Sequence, residues 1–212
     1  MERATLVEFR NKRDPKGYHL KKRGKSGLWI TRSGGVKEEL SDCLPLTGKE
    51  YLQFAALTDP QGLLNFVRCY GPLGNWVVET LGDPVENYLA EARDMQEVLK
   101  AVKESPMYLP DRLLERLTRN AMAVERVLVW NAATRTAVWQ HRAPTLFAAL
   151  WAQAIDAVTR GVQFHACEYC GIWFETGTRA GRRSDARFCS DAHRMAFKNR
   201  ARSKKQEGVS NA

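Results

Sequence analysis

CEYCGIWFETGTRAGRRSDARFCSDAHR, residues 167–194, is the stretch on which the fold turns, because Cys167, Cys170, Cys189 and His193 stand in it as two pairs of metal ligands. A Cys-x-x-Cys turn aims two thiolates at one point with little strain, and zinc takes four soft or borderline donors in a tetrahedron. Cys189 and His193 are four residues apart, so on a helix they lie one turn from each other on one face. The eighteen residues between the pairs, 171–188, are an ordinary spacer for such a site. Four ligands with none to spare point to one closed, structural Zn2+ per chain, since a catalytic zinc keeps a position open. The competing reading is a redox pair, but the motif does not open a helix after a strand, and a second pair follows at ligand spacing.

The residues around the ligands predict a small metal-held unit. Residues 162–166 read as a short strand, 167–171 as a knuckle and 172–175 as the returning strand, with Gly171 free to take a positive φ in the turn. A basic loop over 177–184 carries Arg179, Arg182 and Arg183. Ser190 or Asp191 then caps a helix, with Asp191 suited to the positive end of its dipole. Strand, turn, strand, loop and helix make a treble-clef-like finger, too small to fold without its metal.

Past His193 the helix continues as RMAFKNRARSKK. Arg194, Lys198, Arg202 and Lys205 fall within an arc of about 80° at 100° per residue. Such a stripe can follow phosphates or enter a major groove, and Asn199 and Arg200 are side-chain types that hydrogen-bond base edges. Met195 and Phe197 are expected to pack on the knuckle beside Phe174 and Phe188. The plain alternative is a solvated terminal helix.

The pieces CEYCG, ARFCS and HRMAFKNRAR resemble the bacterial zinc fingers of FCS type and, more loosely, the C-terminal finger of the CGNR family, whose members are thought to be transcription regulators. The resemblance covers about residues 167–202. In those fingers four cysteines bind zinc, which maps onto Cys167, Cys170, Cys189 and position 193, where this chain has histidine. The CGNR tetrapeptide itself is absent. NFVRCYGPLG, residues 65–74, and the apolar helix leading into the finger are similar to other bacterial proteins with the same finger. The resemblance implies a role in transcription regulation but carries over no activity.

Upstream, the chain reads as an α+β protein with a mainly helical core. The boundaries fall at 1–46 for a basic N-terminal β region, 47–161 for the helical core, 162–206 for the finger with its basic helix, and 207–212 for a tail. Short strands are expected over 5–9, 18–22 and 28–31, with a basic connection, Lys21 to Ser26, between the last two. Trp29 is a core or stacking residue. Thr47 and Glu50 read as a capping box before Tyr51, Phe54 and Leu57. Asp59-Pro60 opens a helix that carries Leu63, Leu64, Phe66 and Val67 and stops at Gly71-Pro72. Asp83-Pro84 repeats the start signal before a long helix over 85–103, whose apolar stripe runs through Val85, Leu89, Met95, Val98, Leu99 and Val102. Another helix follows over 110–122, then a hairpin over 126–130 and 136–141. The strongly apolar helix 145–160, with Leu146, Phe147, Leu150, Trp151, Ile155 and Val158, runs directly into the finger.

Composition narrows the function classes. At 44% hydrophobic and 27% charged residues the chain has globular proportions, and no apolar run reaches the roughly 18 residues needed to span a bilayer. The start, MERATLVEFRNK, lacks a signal-peptide stretch, so a cytoplasmic protein is expected, with Cys43 and Cys69 as free thiols. The net charge of +9 is segregated. Residues 1–37 hold eleven Lys/Arg against three Asp/Glu, 38–159 eleven against sixteen, and 160–206 eleven against four. Two basic ends around an acidic middle favour a polyanionic partner, nucleic acid first, over a membrane. A protein partner meeting the acidic middle is the second reading. A treble-clef nuclease built on His165, Asp191 and His193 is the third, and it lacks a second carboxylate or histidine cluster. His19 and His141 have no sequence partners, and no enzyme is expected.

Overall fold

The computed structural model describes residues 7–8, 12–24, 27–34, 41–42, 46–74, 82–105, 109–122, 124–131 and 135–210. Among them the protein is α+β, with helices packed against small, mostly antiparallel sheets. The apolar stripes decide which helices form the centre.

Three helices supply most of the core. They are α1 (Glu50–Ala55), α3 (Val85–Glu104) and α5 (Leu146–Thr159); α2 (Pro60–Tyr70) and α4 (Asp111–Ala121) flank them. Tyr51, Phe54, Leu63, Met95, Leu99, Leu150 and Trp151 are all fully buried together. Each such side chain contributes about 1.5–3 kcal/mol by leaving water. The expected stripe of α3 faces inward, with Tyr88 and Ala92 filling it where Leu89 stays half-exposed.

Local chemistry sets several boundaries as the sequence predicts. Asp59 caps α2 by accepting from the backbone N–H groups of Gln61 and Gly62, both at 2.9 Å, with Pro60 in the first turn. Gly71 ends that helix at φ 81°. Thr145 caps α5, and Gly161 turns the chain at φ 65° directly after it.

Two expected start signals precede their helices without capping them as expected. Asp83-Pro84 lies in a short strand, β6 (Gly82–Pro84), and the Asp83 carboxylate accepts from the Tyr88 hydroxyl at 2.5 Å instead of capping α3. Thr47 does not cap α1, which begins at Glu50 itself. The Glu50 carboxylate instead turns back to the N–H groups of Thr47, Gly48 and Lys49 and the Thr47 hydroxyl. One half of the expected box therefore forms, while the helix caps at Lys49, two residues past Thr47.

The strands sort into small sheets. β3 (Tyr18–Lys22) pairs antiparallel with β4 (Leu28–Arg32), and β4 with β6. In β3 and β4, His19 bonds Thr31 and Ser33, and Arg23 lies over the half-buried Trp29 ring. Lys25 and Ser26 of the basic connection lie outside the described residues, as does Cys43. The expected hairpin forms as β7 (Glu125–Asn131) and β8 (Thr136–Arg142). Its sheet gains a third member, β1 (Val7–Glu8), which lies within the strand expected over 5–9 and runs parallel to the end of β8, a pairing that local pattern does not foretell. Two further short strands, β2 (Lys12–Arg13) and β5 (Ser41–Asp42), pair antiparallel.

The last hairpin is β9 (Gln163–Ala166) with β10 (Trp173–Thr176). Val162, Phe164 and Trp173 belong to the same buried cluster as the helices. The chain ends in α6 (Asp191–Ser210). Among the described residues no helix is long and apolar enough to cross a membrane.

Candidate metal centre

The β9–β10 hairpin holds the first two sulfur donors at its tip. Cys167 N–H donates to the Ile172 carbonyl at 3.0 Å and Gly171 N–H to the Cys167 carbonyl at 2.8 Å, closing a tight turn. Gly171 adopts φ 74°, as the knuckle requires. Opposite this turn, Ser190 caps α6: its hydroxyl accepts from the His193 N–H at 3.2 Å. The cap thereby fixes the backbone of a metal-ligand candidate as well as a helix end. Cys189 sits just before the cap, one turn from His193.

These two elements bring Cys167, Cys170, Cys189 and His193 together, with all four donor atoms within 4.8 Å of one another. Cys170 Sγ lies 3.8 Å from Cys189 Sγ, and His193 Nδ1 lies 3.8 Å from Cys167 Sγ and 2.9 Å from Cys189 Sγ. A tetrahedron with metal–sulfur bonds of about 2.3 Å has edges of about 3.8 Å, so the cluster is close to the size of one four-coordinate ion. Cys167 is buried and the other three are partly covered. The Tyr169 ring lies against the His193 imidazole, with centroids 5.0 Å apart.

The electrostatics of the cluster fit a cation. Burial opposes ionisation of Cys167, but backbone N–H groups of Cys189, Cys170 and Tyr169, helped by His193, outweigh it and bring the thiol to about 6. Burial raises Cys189, and Cys167 and Cys170 beside it push it to about 12. The protein alone therefore favours one thiolate and resists another, and a bound cation removes that conflict. A Cys3His set that can hold a metal ion is thus present, compatible with a zinc finger.

The basic residues around the cluster have unequal roles. Arg179 donates to the Arg160 carbonyl, tying the short turn Thr178–Ala180 to the end of α5. Arg182 donates to the Cys189 carbonyl at 2.5 Å and lies over the Phe174 ring. Arg183 pairs with Asp185, and Arg194 with Asp191. Arg194, Lys198, Asn199 and Arg200 are exposed on α6. Arg202 and Lys205 lie on the same helix, and their side chains fall outside the described residues. Phe197 packs on Phe188 with ring centroids 5.2 Å apart, whereas Met195 is exposed rather than seated on the knuckle.

Sequence reasoning passes over one pair here. Arg187 forms a two-pronged ion pair with Glu168, and Glu168 N–H donates to the Arg187 carbonyl at 3.1 Å. The pair clasps the two ligand segments across the centre. Its only signal in the sequence is opposite charges flanking Cys167 and Cys189. His165, one strand away, packs on Phe174 and does not join the donor cluster; burial and nearby Lys103 hold it below its usual range.

The other end of the hairpin is anchored in the core. Glu175 is buried and accepts from the Tyr51 hydroxyl at 2.7 Å, with Arg160 at 3.6 Å and Lys49 at 3.7 Å. One strand therefore joins the ligand knuckle to α1 and α5. No protein-family model matches the chain, and no curated protein matches it.

Proposed function

We propose that the protein binds one structural Zn2+ through Cys167, Cys170, Cys189 and His193 and uses the finger with its basic helix to contact DNA in a regulatory role. The observation that carries this reading is the convergence of three sulfurs and one imidazole nitrogen at the start of α6. Sulfur-rich tetrahedral sets favour zinc, and four protein ligands leave no position for a substrate, so in this reading the metal is structural rather than catalytic. When bound, zinc supplies the positive charge that lets the thiols ionise together. The chain's own residues do the rest: Ser190 orients His193, Arg187 and Glu168 clasp the two ligand segments, and Glu175 ties the hairpin to the helical core.

The DNA reading is supported by the charge of this segment. Residues 160–206 hold eleven Lys/Arg against four Asp/Glu, and Arg194, Lys198 and Arg200 stand exposed on α6. A cytoplasmic location belongs to the same reading. Gel-shift titration with duplex DNA across a salt series tests it. Affinity should fall steeply with salt, and joint neutralisation of Arg194, Lys198 and Arg202 should weaken it while the metal stays bound. Absence of binding at low salt, or affinity indifferent to salt, removes the reading and leaves the finger as a staple or a protein-binding module.

A further inference from the structure

An open cleft of about 450 Å³ lies beside the metal cluster, between the 182–188 segment and the first turn of α6. Arg182, Arg183, Arg187 and Arg194 line it, against the carboxylates of Asp185 and Asp191. Glu168 reaches Arg187 from outside the lining, and cations still outnumber carboxylates when it is counted.

Three of the four arginines are held in ways that matter for a ligand, while Arg187 stays in its two-pronged pair with Glu168. Arg182 donates to the carbonyls of Cys189 and Phe188 and lies over the Phe174 ring. These partners are neutral, so they orient its charge without cancelling it. Arg183 and Asp185 pair at 3.0 Å with side chains 85% and 69% exposed, and Arg194 meets an Asp191 that is 89% exposed. Ion pairs so open to water contribute little, so a competing anion displaces their carboxylates at small cost. A phosphate offers several charged oxygens at once, and guanidinium forks match that geometry.

We infer that this cleft is a phosphate subsite, seating one backbone phosphate of the bound nucleic acid beside the metal centre. The inference rests on the DNA reading above and sharpens it, because it fixes the point where the backbone meets the finger. The cleft is also tied to the metal: Arg182 grips the carbonyl of the ligand residue Cys189, and the opposite wall is the capped turn that carries His193. Phosphate binding therefore requires the metal-loaded fold.

The test uses the full zinc-loaded chain in two arms. In the first, inorganic phosphate is titrated at constant ionic strength against chloride, and the arginine side-chain N–H signals are followed by NMR. In the second, duplex DNA binding is measured for the wild type, for R183Q/R194Q, and for K100Q/K103Q as a charge-matched control on α3. Phosphate should saturate the wild type, and R183Q/R194Q should abolish that response. The same variant should bind DNA about tenfold or more weakly, with a salt slope shallower by about 0.9 for each phosphate no longer neutralised, while the control keeps its phosphate response. A wild-type response to phosphate no larger than that to chloride overturns the subsite even if a variant misfolds. DNA binding that R183Q/R194Q leaves at the control's level also overturns it, with the DNA reading intact. Saturation by phosphate without any DNA binding overturns the nucleic-acid assignment and leaves a site for a free phosphate group.

Discussion

The Tyr51 hydroxyl on α1 donates to the Glu175 carboxylate on β10 at 2.7 Å, joining residues 124 positions apart. Burial and the Glu175 charge push the Tyr51 phenol far above its ordinary range, so it stays a donor at every pH where the protein folds. Through this bond the hairpin that presents Cys167 and Cys170 is fixed to the helical core. Tyr51→Phe keeps the ring and leaves the buried carboxylate short of a donor. It should lower stability by about 1.5–3 kcal/mol in denaturant unfolding, since the lost bond is to a charged group. An unchanged midpoint would mean that Arg160 and Lys49 suffice for Glu175.

Glu50 is a second buried carboxylate with many donors: three backbone N–H groups, the Thr47 hydroxyl and the Gln153 amide. Burial opposes its ionisation, but the Thr47 and Gln153 bonds outweigh that, and its folded pKa falls below the ordinary 4.5. A depressed pKa stabilises the fold above the unfolded value and ceases to do so as pH falls through the folded one. Glu50→Gln should therefore destabilise by about 1–3 kcal/mol at neutral pH, with the gap to wild type narrowing below pH 4.5. A gap independent of pH would show that charge is not what Glu50 contributes.

Chelation of the metal should not loosen the whole C-terminal segment evenly. Phe164, Trp173 and Thr176 keep the β9–β10 hairpin in the core without metal, whereas the 182–188 segment is mostly exposed. Limited trypsin digestion after chelation should cut first at Arg182, Arg183 or Arg187. Early loss of the 163–176 segment would contradict this division.

Gly82 lies where β6 meets β4. A Cβ there would collide with the Ile30 carbonyl oxygen and crowd the Thr31 methyl at 3.0 Å. Gly82→Ala should cost about 1–3 kcal/mol in thermal or chemical unfolding, because backbone rather than a flexible side chain must move. Wild-type stability would mean that the β4–β6 pairing shifts freely.

The α+β class, the stripe of α3, the apolar α5 and the β7–β8 hairpin are legible in the sequence because each is a local periodicity. The four metal-ligand candidates are legible for the same reason: two short spacings identify them, and the fold has only to bring the pairs together. Other relationships are hidden because their partners are distant. Nothing near Val7 tells that it pairs with His141, and nothing near Glu175 announces Tyr51. Asp83-Pro84 marks the start of α3 correctly, but its signature does not register that the same residues also pair with β4. Arg179 and Arg182 read as displayed charge, yet they spend their donors on backbone carbonyls.

If Cys167, Cys170, Cys189 and His193 hold one zinc ion, elemental analysis of the purified full chain should find one zinc per chain in the wild type and far less in Cys170→Ser. A wild-type content well below one, or full retention in the variant, rules the assignment out.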